Sequence, residues 1–177
     1  MDEGDLQAKL EAVHKESFAW TLTCCGGQWS DAEDVLQTVY CLILTDRARF
    51  NGKSEFKTWL FSVIRNQATK EKRRQMIRRL FLIRHERERE PQTGIPQPDA
   101  SLESVELQVA FEMALNQLPR RQREVLHLVF YEGLTIQAAS KVMSVSLGAA
   151  RRHYERGKSR MRQEFQLQME NDEHEQR

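Results

Sequence analysis

The chain has 177 residues, 40% of them hydrophobic and 30% charged, with a formal net charge of +1. That length allows one domain or two small ones, with compact rather than large cores. No apolar run approaches the ~20 residues of a membrane span, and the acidic start MDEGDLQAKL lacks the basic-then-apolar order of a signal peptide. No alternating apolar run marks a strand. The expectation is a cytoplasmic, all-α protein with no membrane insertion.

The near-neutral total conceals a strong segregation. Residues 1–46 hold nine acids and two bases, whereas residues 47–90 hold fourteen bases and five acids. Residues 91–118 hold four acids and no base; residues 119–165 return to ten bases against four acids. Two separate basic blocks imply two separate contacts with a polyanion. Cys24, Cys25 and Cys41 are odd in number and two are adjacent, which favours reduced core thiols over disulfides. His14, His85, His127, His153 and His174 are scattered without ligand spacing, so no metal or cofactor is expected.

In chain order, residues 6–25 read as a first helix through Leu6, Leu10, Val13, Phe18 and Leu22. Gly26-Gly27 stops it. Ser30 or Asp31 can cap a second helix, with Glu33 and Asp34 favoured by the dipole in its first turn. Its apolar residues are Val35, Leu36, Val39, Tyr40, Leu42 and Ile43, and it gives out near Asp46.

A basic loop, Arg47 to Ser54, holds Phe50, Asn51, Gly52 and Lys53. Two readings of Phe50 are open. It can fold back on Trp59 or Phe56 as a loop anchor, or its neighbourhood can grip an unstacked base, with amides and cations fixing base edges and phosphates. Ser54 can cap the third helix, which carries Phe56, Trp59, Leu60, Val63 and Ile64 on one face and ends in Lys70, Lys72, Arg73 and Arg74. It continues to about His85, past an apolar patch at Leu80–Ile83 that either packs on its own domain or meets a partner.

Residues 86–103 read as a flexible linker, with PQTGIPQPDAS breaking any helix. The domains expected are therefore 1–85 and 104–170, followed by an acidic tail at 171–177. Leu102 to Gln117 is helical in pattern, and Pro119 suits the first position of the next helix, which runs to Tyr131 before Gly133. Thr135 can cap a short helix to Met143, and Ser144-Val145-Ser146 forms a turn into a last helix ending near Phe165. This is the pattern of a helix-turn-helix. Ile136, Ala139, Met143, Val145, Ala150 and Tyr154 would form its core, leaving Arg151, Arg152, Glu155 and Arg156 outward. Such a helix fits the major groove, where Arg pairs both guanine acceptors and Glu accepts from the cytosine amine.

The sequence resembles the sigma-70 family of bacterial sigma factors, in particular its short extracytoplasmic-function (ECF) group. The resemblance rests on DAED-x-x-Q at Asp31–Gln37, RF-x-G at Arg49–Gly52, S-x-F-x-TWL at Ser54–Leu60 and R-N at Arg65–Asn66. Further along it rests on LP-x-x-x-RE-V at Leu118–Val125, EGLT at Glu132–Thr135 and S-x-G…R at Ser146–Arg151. It implies that Asp31, Glu33, Asp34 and Gln37 dock on a coiled coil of the largest subunit of core RNA polymerase. It implies that the loop at Phe50, Asn51 and Lys53 captures a flipped minus-ten base, with Asn66, Arg73 and Arg74 also on promoter DNA. It assigns Ser146, Arg151, Arg152, Glu155 and Arg156 to duplex readout of the minus-thirty-five element.

The function implied is that of an alternative sigma factor, a non-enzymatic specificity subunit that meets promoter DNA both as duplex and as melted single strand. An anti-sigma factor is a partner the family often uses. The rival reading is an autonomous helix-turn-helix regulator that binds duplex without polymerase. The chain departs from the family's frequent choices at Ser140, Ser144, Ala149-Ala150 and Gly157. A glycine inside a helix costs about 1 kcal/mol relative to alanine, so Gly157 predicts a less rigid recognition helix.

Overall fold

The computed structural model of the chain describes residues 3–82, 114–115 and 117–175. Every regular element among them is helical, as the sequence predicts. α1 spans Glu3–Ala12, α2 His14–Cys25, α3 Trp29–Leu44 and α4 Phe56–Leu82. α5 spans Arg120–Leu126 and runs into a π-helical turn at His127–Tyr131; α6 spans Ile136–Val142 and α7 Leu147–Glu175. The described residues fall into two compact units, one carrying α1–α4, the other α5, most of α6, and α7. The linker expected at 86–103 and most of the helix expected at Leu102–Gln117 lie outside the described residues. So do Ile83 and the expected helix end at His85.

In the first unit α2, α3 and α4 pack on one another around Trp20, Val35, Val39, Leu60, Phe61 and Ile64, all at most 2% exposed. The Trp20 and Phe61 rings stack at 5.9 Å, and the Trp20 indole N–H donates to the Phe61 carbonyl oxygen at 3.0 Å. An aromatic this deep, satisfied at its one polar atom, is worth about 3–5 kcal/mol against alanine. Cys24 and Cys25 are buried, as core thiols should be, but Cys41 is exposed on α3.

Several local expectations need correction. The first helix is two: the chain breaks at Val13, whose φ of −114° and ψ of 15° leave the helical range. Gly26 and Gly27 do end α2, with φ of +74° and +85°; their amides close on the carbonyls of Thr23 and Leu22 at 3.3 and 2.9 Å. α3 starts at Trp29, one residue before the predicted cap, with Gln28 in the cap position and no side-chain cap bond. Ser30 and Asp31 therefore lie inside the first turn. Ser54 does not cap α4 either, since its hydroxyl donates to the Glu55 carbonyl at 3.2 Å.

The second unit follows its predicted punctuation more closely. Thr135 caps α6, its hydroxyl oxygen accepting from the Ala138 N–H at 3.1 Å. Pro119 stands at the cap position of α5 and not inside it. Leu115, Leu118, Leu126 and Met161 form a buried cluster with Ala114, and Tyr154 packs on it. Ala139, Met143 and Ala150 are buried, whereas Ile136, Val145 and Tyr154 are only half-buried. α7 continues to Glu175, past the predicted end at Phe165 and through most of the stretch read as an acidic tail.

Candidate nucleic-acid interface

α3 buries Ala32, Val35, Leu36, Val39 and Ile43. That spacing turns Glu33, Asp34 and Gln37 to solvent, and all three are exposed. Asp31 differs. It is half-buried, and its Oδ1 accepts from Gln75 Nε2 of α4 at 3.1 Å. Asp31, Asp34, Gln67, Glu71 and Gln75 help line a cleft of about 60 Å³ between the two helices. Asp31 thus ties α3 to α4, while Glu33 and Gln37 face outward and Asp34 stands exposed at the rim of the cleft.

After α3 the chain reverses through Asp46, at φ +60°, and Arg49 pairs with the Asp46 carboxylate. The Phe50 ring sits 5.5 Å from Phe56, edge-on, and 5.3 Å from Trp59. Phe56 and Trp59 are themselves 5.5 Å apart. All three rings are half-buried. The loop-anchor reading of Phe50 is therefore realised, and it leaves part of an aromatic cluster facing outward. Beyond it Asn51 Oδ1 accepts from the Lys53 backbone N–H at 3.2 Å, a turn in which Gly52 takes φ +71°. Asn51, Gly52 and Lys53 are exposed.

Asn66, Arg73 and Arg74 are exposed on α4. Trp59, Asn66 and Arg73 recur every seven residues, close to two helical turns. They therefore lie along one side of α4 about 10 Å apart, with the aromatic cluster at one end and cations at the other. Arg74 leans on Glu71 at 3.4 Å.

In the second unit α7 has two faces. Ala150, Gly157 and Met161 are buried and Tyr154 is half-buried, a four-three-four spacing against the core. Arg151, Arg152, Glu155 and Arg156 are all exposed on the opposite side. Ser146 caps the helix, its Oγ accepting from the Ala149 N–H at 3.2 Å. Ser144 takes φ +52° in the preceding turn, a geometry glycine adopts at no steric cost. Glu155 pairs with Lys158 Nζ at 3.2 Å, and that ammonium lies 4.7 Å from the Tyr154 ring centroid.

Some residues that shape this surface were not singled out from the sequence. Glu124, part of the RE-V motif, is fully buried; its carboxylate meets Arg120 Nε at 2.7 Å and Arg121 Nη1 at 3.8 Å. The signal was there, as arginines three and four residues before a glutamate on one helix share its face. His127 Nε2 meets Glu132 Oε1 at 3.2 Å, also buried. His153 titrates below its ordinary 6.5, first because burial disfavours its charged form, then because Arg121, Arg156 and Arg152 repel a proton there; Glu124 opposes them.

Two family models match the chain: Sigma-70 region 2 over residues 15–77 and Sigma-70, region 4 over residues 108–161. A similar protein is the ECF RNA polymerase sigma factor SigX of Bacillus subtilis (strain 168), 31% identical over 145 residues, covering 78% of this chain and 72% of SigX. The fold is also similar to that of the sigma factor RpoE in its co-crystal with the anti-sigma factor NepR from Bartonella quintana. There the TM-score is 0.75 at 21% identity, over 92% of this chain and 98% of that one. CnrH, solved in complex with the cytosolic domain of CnrY, matches at TM-score 0.59 and 20% identity, over 90% of this chain and 87% of that one. The chain belongs to the sigma-70 family of sigma factors, in its ECF group. It is an alternative sigma factor.

Proposed function

We propose that the first unit docks on the largest subunit of core RNA polymerase through Glu33, Asp34 and Gln37, with Asp31 holding their helix in place. The same unit receives melted minus-ten DNA along the side of α4 that carries the Phe50–Phe56–Trp59 cluster, Asn66 and Arg73. Asn51 and Lys53 border that cluster, and Arg74 adds charge at the far end. The second unit lays α7 in the major groove at the minus-thirty-five element, reading bases with Arg151, Arg152, Glu155 and Arg156.

The physics favours dividing the work. Opening duplex costs roughly 1.4 kcal/mol per base-pair step, and holding an extruded base on an aromatic surface offsets part of it while selecting sequence. Two modest contacts joined through the polymerase gain from effective concentration. The observation that carries this reading is the outward row Arg151, Arg152, Glu155 and Arg156, exposed opposite a buried stripe on a helix that a turn joins to α6. An anti-sigma partner belongs to the same reading, supported by the complex that the similar RpoE forms with NepR. Among the described residues no helix is long and apolar enough to cross a membrane.

The test is a gel-shift series on a promoter library with and without core enzyme. Sequence-selective retention only when core is present supports the sigma reading. Equal selectivity from the chain alone supports an autonomous regulator instead.

A further inference from the structure

We infer that the end of α4 is a docking site for an acidic amphipathic helix of another protein, and that its occupant excludes promoter DNA from the same side of α4. The exclusion rests on the reading of α4 as a DNA-facing helix; the docking does not.

α4 packs on its unit through Leu60, Phe61, Ile64 and Ala68, all buried, with Glu71 and Gln75 half-buried beyond them. The opposite side holds Trp59, Asn66 and Arg73, and one more step of seven reaches Leu80. Met76 and Ile77 stand four and three residues before Leu80, so the three share that side. Met76 is 59% exposed, Ile77 42% and Leu80 65%. Leu80, the first residue of the apolar patch that the sequence marks, is therefore no part of its unit's core. A lone exposed aliphatic side chain is ordinary. Three on adjacent turns of one helix form a stripe of the kind that receives a partner.

The rim of the stripe specifies that partner. Residues 72–80 hold five bases and no acid. Arg73 stands in line with the stripe, one turn before Ile77; Arg74 and Arg78 lie on one flank and Arg79 on the other. All four are exposed. A second copy offering the same stripe brings arginine against arginine. A phosphate backbone satisfies the arginines and leaves the aliphatic side chains against charge. A lipid surface suits both, but the stripe spans only about 6 Å of helix axis, far less than an interfacial helix lays down. A helix crossing α4 covers that span with anchors at i, i+3 and i+4, and glutamates beside the anchors meet arginines on both flanks. Because Asn66 and Arg73 share the stripe's side of α4, a helix seated there blocks DNA at that end.

The experiment titrates the full-length chain into a fluorescent synthetic peptide, followed by anisotropy, with thermal melting as the folding control. The peptide carries leucines at alternate third and fourth positions and glutamates beside them. It should bind, and the double variant Ile77→Gln, Leu80→Gln should weaken binding by about tenfold or more. The double variant Arg78→Gln, Arg79→Gln should also weaken it, with the larger effect at low salt. Peptides with lysine for glutamate, or serine for leucine, should bind far less tightly. No binding of the leucine–glutamate peptide overturns the docking site, as does wild-type affinity in Ile77→Gln, Leu80→Gln or equal affinity for either control peptide. Binding to vesicles of anionic phospholipid with none to the peptide overturns it in favour of a membrane. In the complex with core polymerase, the peptide should release promoter DNA from wild type and leave it bound to the Ile77→Gln, Leu80→Gln variant. Retention of DNA at saturating peptide overturns the exclusion. If that complex retains no promoter DNA even without peptide, the DNA reading of α4 fails and the exclusion with it, while the peptide titration still decides the docking site.

Discussion

Gly157 and Leu126 set how closely α7 lies on α5: a Cβ on Gly157 would fall 2.9 Å from Leu126 Cδ1 and 3.1 Å from its Cγ. Leu126 is 1% exposed and has little room to turn aside. By helix propensity alone Gly157→Ala should stabilise by about 1 kcal/mol, but overpacking a filled core costs typically 1–3 kcal/mol. We expect a net loss of about 1 kcal/mol by denaturant unfolding. A gain would show that Leu126 yields and that Gly157 serves no packing purpose. The glycine predicts a looser recognition helix from sequence; in the structure it is what seats that helix.

Asp34→Arg should weaken binding to core polymerase, because it reverses charge on the outward face of α3. Asp31→Asn should cost less affinity, as Asp31 is half-buried and its Oδ1 already accepts from Gln75. Surface plasmon resonance with purified core measures both. Unchanged affinity in Asp34→Arg would remove α3 from the interface.

Phe50→Ala should impair promoter opening while sparing core binding. Phe50 packs on both Phe56 and Trp59, so Phe50→Leu, which keeps an apolar anchor, should retain the loop but still open promoters poorly. Permanganate footprinting of the melted region reads the difference. Full opening by Phe50→Leu would make the ring an anchor and nothing more.

His153 makes stability depend on pH. Its folded value lies below the ordinary 6.5, through burial first and then Arg121, Arg156 and Arg152, so the unfolded chain takes up the proton more readily. The stability at stake is fully present above the unfolded value of about 6.5 and is lost as pH falls below it. His153→Gln should flatten that part of the curve when unfolding midpoints are compared from pH 7.5 downward. Parallel curves for wild type and variant would contradict it.

The fold class and the family were legible because they rest on local signals. Thr135 heads α6, Gly26-Gly27 closes α2, and the exposed residues of α7 follow from its spacing. What stayed hidden depends on neighbours distant in sequence. That Asp31 turns inward depends on Gln75, forty-four residues away. The break at Val13 has no glycine or proline to announce it. Whether Phe50 anchors the loop or stays open was undecidable until Phe56 and Trp59 were placed beside it. The spacing of Arg120 and Arg121 marks Glu124 for pairing, but its full burial shows only in the structure.

The most direct measurement of the central claim is run-off transcription with purified core RNA polymerase on a promoter library. The account predicts transcripts from a sequence-defined subset of promoters when the chain is added and none from that subset with core alone. An identical transcript set with and without the chain would contradict it.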